Sequence, residues 1–271
     1  MLAETLAQPS EYPCDIKRIA AIPARLESSR LPNKLLADIG GKLMIQRVLE
    51  RCCEAKNLDA VVLCTDSDQL RELAQNWGFP VLMTSVNCSS GSERIASVAH
   101  PLMALGWGNA DPVAEETAVI NVQGDQPFID PAVIDAMAKE FRSQDPVPAV
   151  VTPVYGLKPE SVHNPNVVKT LLAHDGRALY FSRSAIPHVR DVAEADWHQH
   201  TTYWGHVGMY GFRGDVLVAW DQLPTSPLED LERLEQLRLI EAGLTIATFP
   251  VQGTSLSVDT TEPVSYTHLR A

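Results

Sequence analysis

The chain has 271 residues, 45% hydrophobic and 21% charged, with a formal net charge of −12. That length supports one large α/β domain or two small ones. The acidic balance repels phosphate and anionic lipid at long range, so it excludes a general nucleic-acid or membrane-surface binder and makes any basic cluster a local site. Residues 1–17 read as an N-terminal extension, because Met1 to Asp15 lacks the basic start and apolar stretch of a secretory signal. Ile19 to Ala24 then forms an apolar run of strand type and ends abruptly in a polar segment carrying Arg25, Arg30 and Lys34. A helix is predicted from about Leu43, with Met44, Ile45, Val48, Leu49 and Cys52 at helical spacing. Ala60 to Cys64 is a continuous apolar run, as expected of a strand buried on both faces. Ser67 to Trp77 reads as a helix stopped by Gly78, and Val81 to Met83 as a short strand. Ser89, Ser90 and Ser92 are candidate N-caps of a helix running through His100. Ala118 to Val122 is a third buried strand, followed by Gln123-Gly124-Asp125 and a helix from Ala132 to Phe141. This β-α-β-α order predicts a mostly parallel sheet with right-handed crossovers.

The second half changes style. Val167 to Leu172 and Arg177 to Phe181 are strand-like and joined by the hairpin signal His174-Asp175-Gly176. His206 to Phe212 reads as one strand. Pro227 to Ala242 reads as one long helix with Leu228, Leu231, Leu234, Leu237 and Ile240 along a stripe, capped by Gly243. Thr245 to Phe249 and Leu256 to Val258 close the fold. No linker of disordered composition separates the halves, so one continuous domain is expected, its hairpin region forming a lid or an oligomer contact.

Chemistry concentrates where strands end. Ligands of open α/β sheets bind at the carboxyl ends of the strands. Arg25, Arg30 and Lys34 gather at such an end, and point to a multiply charged anion such as a nucleoside triphosphate. The segment is neither a P-loop nor a dinucleotide fingerprint, so side-chain cations must replace a glycine-lined nest. Asp125 ends a buried strand and suits a hard divalent cation, for which magnesium needs one or two carboxylates plus substrate phosphates. Asp259 ends the last short strand and would be the second such carboxylate if the fold brings it near Asp125. Lys169 and Arg183 stand on the two arms of the hairpin, where exposed strand charges are the plain alternative. His198 and His200 read as solvated histidines of a polar loop, whereas His206 begins an ordered strand. Glu229, Glu235 and Gln236 lie on the long helix, the last two flanking its apolar stripe. No serine lies in a Gly-x-Ser-x-Gly context. The five cysteines form no Cys-x-x-Cys pair and read as reduced thiols, with Cys52, Cys53 and Cys64 as core or near-core fillers. No segment is apolar and long enough to cross a bilayer.

Ile22-Pro23-Ala24-Arg25 through Arg30-Leu31-Pro32-x-Lys34, with Ile39-x-Gly41-Lys42-x-Met44-Ile45 behind it, resembles the 3-deoxy-manno-octulosonate (Kdo) cytidylyltransferase family. Agreeing segments include Ser90-Gly91-x-Glu93-Arg94, Asn121-Val122-Gln123-Gly124-Asp125, Ala178-Leu179-Tyr180-Phe181-Ser182-Arg183, His206-x-Gly208-x-Tyr210-Gly211 and Leu234-Glu235-Gln236. The resemblance spans about Lys17 to Glu262. It implies a three-layer α/β/α, Rossmann-like fold of the nucleotide-diphospho-sugar transferase type, one domain over 18–262, with an inserted dimerisation region at about 155–212. It implies transfer of CMP from CTP to Kdo with release of pyrophosphate, in the cytoplasm, for lipopolysaccharide synthesis. A cytidylyltransferase for another acidic sugar such as sialic acid, or an inactive nucleotide-binding relative, are the alternatives. By residue-level match, Arg25, Ser28, Arg30 and Lys34 would hold the triphosphate. Thr65, Ser92 and Gln123 would line the nucleotide site, with Gln123 also near the sugar. Arg94, His206, Tyr210, Glu235 and Gln236 would face the sugar acid, and Asp125 and Asp259 would bind magnesium. The chain departs from the family pattern at Asn33 and Leu43 (usually Gly and Pro), at Ser92 (usually Thr) and at Gln126 (usually Glu). Residues 263–271 show none of the amphipathic pattern of the family's final helix, so an atypical tail is expected there.

Overall fold

The computed structural model describes residues 16–27, 33–143 and 147–252. Strand β1 (Lys17–Ala24) is buried from Ile19 onward. Its alternate side chains enter two separate cores: Ala20, Ile22 and Ala24 pack on one face, Ile19 and Ala21 on the other. The same split recurs in β2 (Ala60–Thr65) and β4 (Thr117–Asn121), which explains why these strands read as unbroken apolar runs. Helices α1 (Met44–Cys53), α2 (Asp68–Asn76) and α5 (Pro131–Ser143) supply one outer layer. The other layer contains α3 (Gly91–Ala96), α4 (Ala99–Trp107) and α6 (Gly214–Val218). It also holds α8 (Gln236–Glu241), so the three-layer expectation is met.

The sheet also takes β3 (Val81–Met83), β5 (Val150–Gly156), β6 (Lys169–Leu172), β7 (Ala178–Ser182), β8 (Trp204–His206) and β9 (Tyr210–Arg213). Its order is β3-β2-β1-β4-β9-β5-β8-β6-β7, with β10 (Ile246–Pro250) pairing beside β5. The β3-β2-β1-β4 half is parallel, as is β5 with β10. Antiparallel pairings bring in β9, β8 and β7, so the sheet is mixed, with β1 to β6 and β10 running one way.

Three predicted elements are divided. The run His206 to Phe212 is two strands along the same edge of β5, interrupted at Val207–Met209, while the opposite edge switches partner from β6 to β4. Thr152 of β5 fills the interruption, its hydroxyl donating to the Met209 carbonyl at 2.7 Å. The helix expected through His100 is α3 and α4, parted at Ser97 and Val98. The expected helix Pro227 to Ala242 is α7 (Pro227–Glu232) and α8, parted at Arg233 with φ 55. A strict three-residue leucine step drifts around a helix of 3.6 residues per turn, so no single straight helix can bury the whole stripe. Leu231 accordingly stays 80% exposed. The break is fixed from outside: Arg183 Nε donates to the Glu232 carbonyl at 2.8 Å, and the Glu232 carboxylate accepts from Ser182 Oγ at 2.6 Å and Arg183 N at 2.9 Å.

Two side-chain expectations are also corrected. Cys53 is exposed, one helical step round from the fully buried Cys52. Burial pushes the Cys52 thiol up, and that of Cys64 to about 12, so both are inert packing groups. Lys169 is no exposed strand charge. It is fully buried, and its ammonium donates to the carbonyls of Asn164, Val167 and Arg183. Desolvation lowers its pKa despite the nearby Glu232 carboxylate. Lys169 therefore ties the hairpin to the loop before it. The predicted strand at Leu256 to Val258 lies outside the described residues, as does the tail 263–271.

Candidate active site

The register of the parallel half sets the site. Ala24 of β1 stands beside Thr65 of β2, and Asn121 of β4 stands between Ala21 and Tyr210. All these strand ends open on one side of the sheet. Gly91 and Gly124 let the chain close in there. A Cβ on Gly91 would stand 3.1 Å from Pro23 Cγ and 3.3 Å from the Gln123 amide. A Cβ on Gly124 would stand 3.1 Å from the Pro23 carbonyl oxygen. Glycine at both positions lets α3 and the Gln123-Gly124-Asp125 turn lie against the end of β1.

The basic loop meets the strand-end aspartate here. Lys34 sits in a short 3-10 turn, Lys34–Leu36, entered through Asn33 at φ 59. Its Nζ lies 2.9 Å from Asp125 Oδ2, with the lysine side chain 14% and the aspartate 34% exposed. Two of the sequence-derived constellations thus form one charged pair. Arg25 is exposed just past the end of β1. Ser28, Arg30 and Asp259 lie outside the described residues. Among the described residues no group of three or more His, Cys, Asp or Glu gathers as a metal cage. Of the two carboxylates expected to hold magnesium, Asp125 is described, and a partly exposed carboxylate is the kind of donor that ion takes.

A second group lies on the α3 face. Ser90 is the N-cap of α3, accepting from Glu93 N at 3.1 Å. Ser92 is fully buried and donates to Glu235 Oε1 at 2.8 Å. Asn121 Nδ2 donates to Ser92 Oγ at 3.2 Å, and Gln123 Nε2 donates to Asn121 Oδ1 at 3.1 Å. Desolvation raises the Glu235 carboxyl above its ordinary range, while hydroxyls of Ser92 and Ser90 hold it back. The helix break at Arg233 separates Glu235 and Gln236 from α7 at the start of α8.

The third group surrounds β9. Tyr210 donates its hydroxyl to Gln236 Oε1 at 2.8 Å, and Gln236 Nε2 has no partner among the described residues. Burial raises the Tyr210 hydroxyl well above its usual range, with the Glu235 charge adding to it. His206 Nε2 lies 2.9 Å from Thr152 Oγ1. The Thr152 hydrogen is spent on the Met209 carbonyl, so the ring is the donor and Nδ1 keeps a lone pair. Burial drives the His206 pKa down to about 3, so the ring is neutral near pH 7. Phe181 packs edge-on against it at 4.9 Å.

Two residues that the resemblance places on ligands face the protein. Thr65 is fully buried, and its hydroxyl accepts from Ser67 N at 3.2 Å ahead of α2. Arg94 is buried, pairs with Asp66 at 2.8 Å, and donates to Thr84 Oγ1 and to the Ser85 carbonyl at 3.3 Å. His198 and His200 lie in or just after the 3-10 turn Glu194–Gln199 and are exposed, as expected. Sequence reasoning did not single out Asn121, Asp66 or Thr152. Asn121 did carry a signal, since it is the polar residue in an otherwise apolar buried strand.

Comparison with known proteins places this geometry. Residues 19–246 match the family described as Cytidylyltransferase. A 3-deoxy-manno-octulosonate cytidylyltransferase of Myxococcus xanthus is 41% identical over 243 residues, covering 90% of this chain and 92% of its own length. Its counterpart in Porphyromonas gingivalis is also 41% identical, over 90% of this chain and 92% of its own. A solved structure of CMP:2-keto-3-deoxy-manno-octonic acid synthetase complexed with CTP superimposes with a TM-score of 0.79 at 38% identity, covering 90% of this chain and 93% of that one.

Proposed function

The chain belongs to the 3-deoxy-manno-octulosonate cytidylyltransferase family, and from that premise we propose that it transfers CMP from CTP to Kdo, releasing pyrophosphate. The observation that carries the reading onto this chain's own residues is the Lys34–Asp125 pair, which joins the basic loop to the strand-end carboxylate beside Gln123. In the proposed reaction the anomeric hydroxyl of the sugar attacks the α-phosphorus in line. The bond between the α-phosphorus and the bridging oxygen breaks, pyrophosphate leaves with that oxygen and its electron pair, and the hydroxyl proton passes to solvent. No covalent intermediate with the enzyme is required, and catalysis is positioning plus charge neutralisation.

Lys34, with Arg25, Ser28 and Arg30, would neutralise the triphosphate and the charge that builds on the departing pyrophosphate. Asp125 and Asp259 would hold a magnesium ion, which when bound would supply Lewis-acid polarisation of phosphate oxygens. The sugar acid would lie against His206, Tyr210, Glu235 and Gln236. Three observations support that assignment: the bond to Thr152 leaves His206 Nδ1 as an acceptor, Gln236 Nε2 is a donor unsatisfied within the described residues, and Tyr210 links the two, its hydroxyl bonded to Gln236 and its ring 5.3 Å from that of His206. Arg94 takes a supporting role through Asp66. The enzyme would work in the cytoplasm, where CTP is available. Among the described residues no helix is long and apolar enough to cross a membrane. It would form a homodimer through the region at about 155–212, an assignment supported by β7 ending the sheet path with Leu179 46% exposed.

Pyrophosphate release from CTP and magnesium, scored with Kdo and with sialic acid, tests the reading. Turnover with Kdo is expected. Turnover with sialic acid and none with Kdo would reassign the sugar, and no turnover with either would leave a binding protein. Light scattering of the full chain tests the dimer, and a monomer mass would refute it.

A further inference from the structure

We propose that Asn121 is a positioning residue that fixes the Gln123 amide so that its carbonyl oxygen, Oε1, meets a hydrogen-bond donor on the bound substrates. The proposal rests on the cytidylyltransferase reading and deepens it. The chain Gln123–Asn121–Ser92–Glu235 runs in one direction. Ser92 has a single hydroxyl hydrogen and gives it to Glu235 Oε1 at 2.8 Å. Its oxygen then accepts from Asn121 Nδ2 at 3.2 Å. With Nδ2 engaged, Asn121 presents Oδ1 to Gln123, and only the Gln123 amino group can answer it, at 3.1 Å. The carboxylate at the far end therefore dictates which end of the Gln123 amide turns inward. Gly91 adds to this, since a Cβ there would stand 3.3 Å from both Nε2 and Oε1, a tight contact that would press on the amide.

An amide flip would exchange an acceptor for a donor, so this relay selects the chemistry the site offers. The partner is a hydrogen-bond donor, either a hydroxyl of the sugar acid or an amine or hydroxyl of CTP. Asn121 touches neither substrate in this scheme. It is fully buried, and it acts through Gln123.

The test compares Asn121→Leu with Asn121→Asp, both assayed by pyrophosphate release with each substrate varied in turn at saturating levels of the other. Leucine keeps the branched shape, at a somewhat larger volume, and removes both hydrogen bonds of the relay, so the amide is free to turn. The Michaelis constant for one substrate should rise about three- to tenfold, the worth of one ordinary hydrogen bond, with kcat changed less. Aspartate keeps an acceptor for Gln123 Nε2 but loses the donor to Ser92 and buries a carboxylate, so its melting temperature should fall while its Michaelis constants rise less than those of the leucine variant. A rise for Kdo assigns a sugar hydroxyl as the partner, and a rise for CTP assigns the nucleotide. A packing role predicts the reverse order, with buried leucine tolerated and buried carboxylate harmful. That order, or equal constants in all three proteins, overturns the relay. Should Asn121→Leu fail to fold, Asn121→Ala carries the same comparison. Absence of turnover in the parent protein would instead overturn the activity, so the two failures are distinguishable.

Discussion

Replacing Lys34 with methionine separates catalysis from stability at the centre of the site. The Lys34–Asp125 pair is 2.9 Å long but lies at a partly open position, the aspartate being 34% exposed. Ion pairs of that kind contribute roughly 0–1 kcal/mol to folding, because solvent screens them and two side chains must be ordered. For a domain of this size 1 kcal/mol moves the melting temperature by about 2–4 °C, so Lys34→Met should lower it by no more than about 4 °C. Catalysis is a different quantity. A preorganised cation facing charge that develops in the transition state is worth about 3–4 kcal/mol, or a 10²- to 10³-fold loss in kcat when removed. Methionine keeps most of the aliphatic volume, so packing around the short 3-10 turn is conserved. The assays are continuous pyrophosphate release and a thermal melt of the same preparation. A loss of activity under tenfold would remove Lys34 from charge neutralisation. A fall in melting temperature of 10 °C or more would make it a structural residue and refute the reasoning.

Asp66→Ala should act in the opposite way. Arg94 is 3% exposed, and loss of its partner leaves a buried charge uncompensated, at a cost of about 3–5 kcal/mol. The melting temperature should fall by about 6–20 °C, and a change under 3 °C would show that Arg94 finds another partner. His206 predicts a pH dependence with a definite sign. Its folded pKa, near 3, lies below the ordinary histidine value, so the unfolded chain takes up a proton first as pH falls. Its contribution is therefore complete above about pH 6.5 and is lost on descent toward pH 3, at up to about 1.4 kcal/mol per unit. Denaturant titrations from pH 7 to 4.5 should show a shallower slope in His206→Asn, and identical slopes would mean that the ring is not sealed from protons. Leu179→Glu on the outer strand β7 should shift the protein to the monomer mass in light scattering with its melting profile retained, and an unchanged dimer mass would move the interface off this strand.

The layered fold was legible because each element of the first half repeats one simple pattern. Strands buried on both faces are apolar at every position, as in Ala60 to Cys64. Helices with one buried face show their period, as in Met44 to Cys52. Where the reading failed, the deciding contact came from far away in sequence. The leucine stripe of Pro227 to Ala242 looked continuous because a local pattern cannot show that Ser182 and Arg183 bind Glu232. The strand His206 to Phe212 looked continuous because only the fold reveals Thr152 opposite Val207–Met209. Lys169 read as either a functional cation or an exposed strand charge, and three carbonyls gathered around one ammonium are not written into any window of the sequence.

The same limit separates ligand-facing side chains from those that hold them. Asp125 stood out from its strand-end position, whereas Arg94 was assigned to the sugar acid only by the resemblance. Their surroundings separate them. Arg94 has Asp66, Thr84 and the Ser85 carbonyl as partners and is sealed, so moving it onto a ligand would strand Asp66. Asp125 keeps a solvent-reachable face, and its cationic partner Lys34 stands on the basic loop. Asn121 shows the converse. It was read as part of a buried strand, yet a polar amide within an apolar run carries a desolvation cost that only a complete set of hydrogen bonds offsets. Tracing those bonds leads from Ser92 and Glu235 on one side to Gln123 on the other. A polar residue at the end of a buried strand therefore identifies where the fold has committed hydrogen-bonding capacity to holding a site in one orientation.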